Sequence, residues 1–306
     1  MLTGLVIGSV VAYRLYQDSV VLILDHGSRI TSASFSTDGN YVITRDYKGI
    51  EKIWEVKNGR EVKDSKSVQV SKKSIFQNGE RKLFSSDGKR VLAVGDWNTN
   101  AKLLDENGNL IAELGQVHWA DFSADNKRLV TLESKRHSLT QITFWDRDGR
   151  KLNSFKAYEY SHNFAYAQPS GIYDTVKFNF DGSQILTVGC DTMGVSGFDV
   201  GRCILGSARL WDTKGNLLKE FFKGGAVDYA DYSQDGSWIV AAGCDKYAIG
   251  FLGINVCDAN RVRIYKSDGE LITTMNESAL IATFSPDKTR LLTVDYDTAK
   301  LWKIGK

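Results

Sequence analysis

A short turn signature recurs six times along the chain and constrains the fold more than any other feature. It reads aromatic, Ser or Asn, one variable residue, Asp, then Gly or a substitute. The copies run from Phe35-Ser36-Thr37-Asp38-Gly39 to Phe284-Ser285-Pro286-Asp287-Lys288, and their acidic residues are Asp38, Asp87, Asp125, Asp181, Asp235 and Asp287. The spacings are 49, 38, 56, 54 and 52 residues. Self-similarity on this scale means one supersecondary unit used repeatedly.

The third repeat shows the unit. Val117 to Ser123 alternates apolar and polar positions, as a half-buried strand does. A turn at Ala124 to Lys127 leads to a second strand, Arg128 to Leu132. Gln141 to Asp146 is a third strand and Lys151 to Phe155 a fourth, joined by Arg147-Asp148-Gly149-Arg150. Four short strands with tight turns predict one antiparallel sheet. The third strand recurs as Lys52-Ile53-Trp54, Lys102-Leu103-Leu104, Arg209-Leu210-Trp211-Asp212, Arg263-Ile264-Tyr265 and Lys300-Leu301-Trp302. Its large apolar residue fits between neighbouring sheets. Such units cannot bury both faces alone, but a ring of them can.

The pattern Phe-Ser-x-Asp-Gly, an apolar strand, then Ala208-Arg209-Leu210-Trp211-Asp212 through Leu218, resembles the bacterial WD-repeat family. Trp-Asp dipeptides stand at Trp145-Asp146 and Trp211-Asp212, and the family's Asp before the third strand is matched by Asp46, Asp96, Asp191, Asp245 and Asp295. The resemblance covers nearly the whole chain. It implies an all-β fold: a single β-propeller domain of four-stranded antiparallel blades over residues 1–306. The family's Gly-His dipeptide is matched nowhere, so its buried His-centred hydrogen-bond network is not expected here.

Residues 30–306 supply six repeats, and the last ends at Trp302 after its third strand. Residues 1–29 are a closing or partial blade. Val20 to Leu24 reads as a fourth strand that could complete the last repeat, since closure removes exposed edges. Alternatively, Met1-Leu2-Thr3 resembles Leu291-Leu292-Thr293 and Tyr13-Arg14-Leu15-Tyr16 resembles Ala208 to Trp211, which makes the segment most of a seventh blade. Seven blades are favoured over six. Leu2 to Tyr13 is apolar but shorter than the roughly 20 residues a membrane span needs, so a buried strand pair is expected and no stable membrane insertion. The segment also lacks the basic start and small-residue cleavage site of a signal peptide.

In a propeller, the connections after strands two and four lie on one face. All the long connections here are of that kind: 63–80, 156–172, 190–206 and 244–260. Insertions in repeat proteins commonly mark the binding face. Neutral drift is the other account, but drift should not favour one face. Two insertions resemble each other: Cys190 and Cys203 in one, Cys244 and Cys257 in the other, each 13 positions apart and together all the cysteines. Hairpin bases bring Cα atoms within disulfide reach, so Cys190–Cys203 and Cys244–Cys257 are read as disulfides that stiffen recognition loops. Four reduced thiols, or a metal site shared by neighbouring loops, are the rivals. Cys-x-x-Cys spacing is lacking, and no metal is expected. Pairing implies a periplasmic or secreted protein, and reduced cysteines a cytoplasmic one.

The connection after Lys156 carries Tyr158, Tyr160, His162, Phe164 and Tyr166. These rings either continue a strand into a small core or serve as contact anchors. Trp97, Phe198, Tyr247 and Phe251 stand in connections on the same face and complete the candidate binding residues.

Catalytic signals are weak. The four His residues lack ligand spacing, and no nucleophile elbow, phosphate loop or dinucleotide fingerprint is present. No catalytic residue and no cofactor are expected. Lys plus Arg number 39 against 37 Asp plus Glu, and no basic run exceeds two residues, which argues against nucleic acid as partner. The sequence therefore predicts a monomeric, non-catalytic scaffold that binds a protein or peptide across the long-loop face. The alternative is an extracytoplasmic hydrolase or lyase with its site at the central channel, where Asp121, Asp228 and Asp231 are scattered polar members of the first strands.

Overall fold

The computed structural model describes residues 20–63, 74–77, 80–95, 99–135, 139–159, 175–196, 199–249 and 255–304. All regular structure among them is antiparallel β-sheet, without a helix. In chain order, β1 is Val20–Asp25, and β2 (Ile30–Phe35), β3 (Tyr41–Asp46) and β4 (Glu51–Glu55) form a sheet. A bridge between Trp54 and Glu61 adds a short fourth edge to it. The next sheet contains β5 (Ser74–Gln77), β6 (Glu80–Phe84), β7 (Arg90–Val94), β8 (Lys102–Asp105) and β9 (Leu110–Glu113). It is followed by β10 (Trp119–Phe122), β11 (Arg128–Lys135), β12 (Leu139–Asp146) and β13 (Lys151–Glu159). Then come β14 (Thr175–Phe178), β15 (Gln184–Ser196), β16 (Asp199–Asp212) and β17 (Leu217–Tyr232). β18 (Trp238–Cys244), β21 (Asn260–Lys266) and β22 (Leu271–Met275) follow, with a separate small hairpin of β19 (Tyr247–Ile249) and β20 (Asn255–Cys257). The last sheet has β23 (Ile281–Phe284), β24 (Arg290–Asp295), β25 (Thr298–Lys303) and, outermost, β1.

The strands divide between two compact units. One comprises Met1–Val70, Tyr232–Ala242 and Asn260–Lys306, the other Ser71–Asp231 and Gly243–Ala259. The boundary falls inside β17 and inside β18.

The recurring turn explains why first and second strands pair. In Ser85-Ser86-Asp87-Gly88, the buried Ser85 hydroxyl lies 2.7 Å from Asp87 Oδ1 and accepts the Arg90 amide, while Asp87 Oδ1 accepts the Lys89 amide. Ser36, Ser123, Ser233 and Ser285 repeat the arrangement, and at Asn179 a side-chain amide oxygen accepts the Gln184 amide instead. Each turn thus satisfies backbone donors that would otherwise be stranded at a buried bend. A second motif ties third strands to second strands. The indoles of Trp54, Trp145, Trp211 and Trp302 donate to the hydroxyls of Thr44, Thr131, Thr187 and Thr293 at 2.8 to 2.9 Å.

In the first unit, the core joins the last sheet to the first: Leu24, Leu292, Val294, Ala299 and Leu301 pack with Ile30, Phe35, Val42, Trp54 and Val56. β1 pairs with β25 over Val20↔Trp302 to Asp25↔Thr298, so Val20–Asp25 is the fourth strand of the last sheet. The strand pair expected within residues 2–13 lies outside the described residues. One expectation is corrected in this unit. His26, in Asp25-His26-Gly27 just after β1, does form a buried centre. Its Nδ1 lies 2.7 Å from Thr44 Oγ1, its Nε2 lies 4.0 Å from Asp46 Oδ2, and Ser28 donates to Asp46 at 2.6 Å. The sequence reading sought Gly before His. Here Gly follows it, with Gly27 at φ 76°.

In the second unit, Leu92, Val94, Ala101, Leu103 and Leu114 pack on Val117, Ala120 and Leu129 of the next sheet. Val130, Leu132, Ile142, Phe144 and Tyr158 pack in turn on Val176, Phe178, Ile185 and Trp211. Both cores are interfaces between consecutive sheets stacked face to face, which is how a short sheet with two apolar faces covers them.

Candidate functional site

Three segments of the second unit converge where its second strands end. The first is the end of β13. The second is the segment 190–206, expected as a loop. It is instead a continuation of the sheet: β15 and β16 stay paired from Gln184↔Asp212 to Ser196↔Asp199, with register shifts between Cys190 and Val195. The third is the β19–β20 hairpin, where Tyr247 stands opposite Cys257 and Ile249 opposite Asn255. β20 packs against β15.

The cysteines close both projections at their bases. Cys190 and Cys203 pair at disulfide distance with Cα atoms 5.7 Å apart, and Cys244 and Cys257 with Cα atoms 5.8 Å apart. Cys190 and Cys244 are buried, so each pair anchors its hairpin to the sheet below. Amide bonds from Asp245 to Ala259 O and from Asp258 to Lys246 O, both 2.8 Å, narrow the second base further. Close backbone approach makes glycine obligatory there: a Cβ on Gly225 would overlap the Cys244 carbonyl.

Tyr158 corrects a second expectation. It is not a contact anchor but one of the largest fully buried side chains. Its hydroxyl lies 3.0 Å from Thr187 Oγ1 and donates within reach of Thr187 O and Ser207 O. Gly189 gives it room, since a Cβ there would come within 2.5 Å of the ring. Arg209 stacks on the same ring at 4.3 Å and binds Ala157 O, Asp191 and Glu220. This network fixes the base of the β15–β16 projection against β13. Asp191, the match to the family's Asp before the third strand, is the partner of Arg209 and Ser207. Trp97, Tyr160, His162, Phe164, Tyr166, Phe198 and Phe251 lie outside the described residues.

A second group of polar side chains was only half visible in the sequence. Lys177 of β14 pairs with Asp231 of β17 at 2.6 Å, and the Tyr229 hydroxyl donates to Asp231 at 3.1 Å. Burial works against the charge on Lys177, but the Asp231 carboxylate outweighs it and holds the ammonium above its ordinary pKa. Burial, with Asp231 adding to it, pushes Tyr229 up to about 12. Asp121 of β10 accepts the Phe178 amide at 3.0 Å. Arg81 of β6 lies over the Trp119 ring at 3.6 Å. Asp121 and Asp231 were noticed as isolated acids, whereas Arg81 and Lys177 were passed over. Superposing the first strands of the repeats would have found them, because all four stand on those strands. Among the described residues, no group of three His, Cys, Asp or Glu is placed to hold a metal ion. No helix among them is long and apolar enough to cross a membrane.

No family model matches the chain. Actin-interacting protein 1-2 of Arabidopsis thaliana is 22% identical over 175 residues, covering 56% of this chain and 26% of that protein. The chain thus spans about a quarter of the length of the curated relative it matches. The similarity is distant and supports a WD-repeat family at most.

Proposed function

We propose that the chain is a non-catalytic recognition module: a WD-repeat propeller that binds a protein or peptide with the ends of its sheets that carry the two cysteine-closed hairpins. The observation that carries this reading is the pair of projections itself. One prolongs its sheet and the other is a separate two-stranded hairpin, each is closed at its base by cysteines at disulfide distance, and one packs on the other. Stiffened loops on a rigid scaffold bind with less entropic loss. The relative's name describes an interaction with a protein, which fits the same class of function. The cysteine pairs are consistent with a location outside the cytoplasm. Pairing of β1 with β25 supports six blades rather than the seven that the sequence favoured.

The competing reading, a channel enzyme, draws on Lys177, Tyr229 and Asp231. Their electrostatics argue only against a nucleophile or general base at Lys177 and Tyr229. A lysine held protonated and a tyrosine held neutral are poor nucleophiles and poor bases at neutral pH.

The test is affinity capture from an extract of the source cells' envelope and medium, with wild type against a Tyr160→Ala, Phe198→Ala, Phe251→Ala variant of unchanged circular dichroism. A partner recovered by wild type and lost from the variant is the expected result. Equal recovery by both proteins refutes the hairpin-bearing surface as the contact.

A further inference from the structure

Arg81 is the worst-satisfied charge among the described residues. Its Nε is buried without a hydrogen-bond partner, and its one hydrogen bond, from Nη2 to Ala120 O, is long at 3.5 Å. Among the described residues no carboxylate forms an ion pair with it, although Asp121 is near enough to act through its charge. One face of the guanidinium is covered by Trp119. A guanidinium whose Nε is buried without an acceptor is costly unless something completes its shell. Burial lowers its pKa to about 10, and the Asp121 charge only partly offsets that burial.

We infer that Arg81, stacked on Trp119, is a binding subsite for a carboxylate group of a ligand. Arg81 stays partly exposed, so a ligand has a way in. Arg81 pairs with Val94, the last residue of β7, and Trp119, the first residue of β10, pairs with Leu132 within β11. Charge selects a carboxylate over a phosphate. Lys177 is already paired with Asp231, and the Asp121 charge offsets that of Arg81 without forming an ion pair with it, so Arg81, Lys177, Asp121 and Asp231 sum to zero before a ligand enters. A planar carboxylate matches the guanidinium fork and adds a single negative charge beside Asp121, whereas a phosphate dianion would add two. The inference does not depend on the hairpins, and its success or failure leaves the hairpin-mediated reading to its own test.

The experiment titrates the full chain with sodium acetate, sodium phosphate, acetyl-Ala-Ala-Ala with a free terminus, and the same peptide as its amide. Ionic strength is held constant with sodium chloride, and thermal unfolding is followed by circular dichroism. Wild type should show a saturable rise in Tm with acetate or with the free-acid peptide, and none with the amide. Response to the peptide acid but not acetate assigns the carboxylate to a chain terminus, and response to acetate assigns it to a small acid. Arg81→Met and Arg81→Lys should bind about tenfold or more weakly, since a charge-assisted bidentate contact is lost in each. No saturable response in wild type, an equal response in Arg81→Met, or a stronger response to phosphate than to either carboxylate would overturn the assignment.

Discussion

At the scale of single residues, buried hydroxyls and one buried imidazole act as connectors. Thr44 Oγ1 accepts from the Trp54 indole, lies 2.7 Å from His26 Nδ1 and can donate to Lys52 O at 3.5 Å, so one hydroxyl joins the indole, the imidazole and the neighbouring strand. Thr44→Val keeps the shape but strands the indole donor and the imidazole nitrogen. It should cost about 1–3 kcal/mol per stranded group, read from the denaturant midpoint. The same centre sets a pH dependence. Burial, helped by repulsion from Lys52, holds the His26 pKa below 6.5. The unfolded chain then takes up the proton more readily than the folded one. Stability supplied by neutral His26 is full above pH 6.5, declines as pH falls below that value, and levels off beneath the folded-state pKa. The turn carboxylates add a second decline lower down. The Ser36, Ser85, Ser123 and Ser285 hydroxyls hold Asp38, Asp87, Asp125 and Asp287 below 3.8, so their contribution is lost as pH drops from 3.8 through their folded values. Urea midpoints measured from pH 7.5 to 5 should fall less for His26→Gln than for wild type. Parallel curves would show that other groups, such as the half-buried His118, control this range.

At the scale of elements, local chemistry was legible and extension was not. The Ser-x-Asp-Gly turns and the Trp-bearing third strands could be read because short-range hydrogen bonds build them. The continuation of β15 and β16 beyond Cys190 was read as a loop, because its register shifts break the alternation that reveals a strand. Tyr158 was ambiguous because a ring in a strand and a ring in a loop have the same sequence. Gly189, two strands away by chain order, decides its burial. A consequence follows for the projections. Each cysteine pair spans 13 positions, so a closed loop of that size stabilises by about 3 kcal/mol in the chain-entropy account. Cys203→Ala and Cys257→Ala should each lower unfolding free energy by about that amount without changing the far-ultraviolet spectrum. Wild type treated with dithiothreitol should then match the double variant. If wild type in dithiothreitol keeps its full stability, the pairs are not bonds.

At the scale of the whole molecule, the decisive joint is between the two extremes of the chain. β1 supplies the outer strand of a sheet whose other three strands come from 281–303, and the ladder runs along nearly all of β25. Leu24 enters the core with Leu292 and Leu301, and the segment after β1 delivers His26 to Thr44 of the neighbouring sheet. One short strand therefore completes the last sheet and, through the imidazole that follows it, locks the first. Removing residues 1–27 should do more than expose an edge. It strips β25 of its partner, opens an apolar face over Leu292, Val294 and Leu301, and empties the hydrogen-bond centre beneath Trp54. An unpaired edge beside an uncovered apolar face is a template for association. The truncated chain should unfold at lower denaturant and form oligomers in light scattering. A synthetic peptide covering residues 18–29, added in trans, should return the scattering to that of the full chain, whereas the same peptide with Leu24→Asp should not. A truncated chain with the full chain's scattering and an unchanged midpoint would mean that β1 merely decorates an already complete sheet.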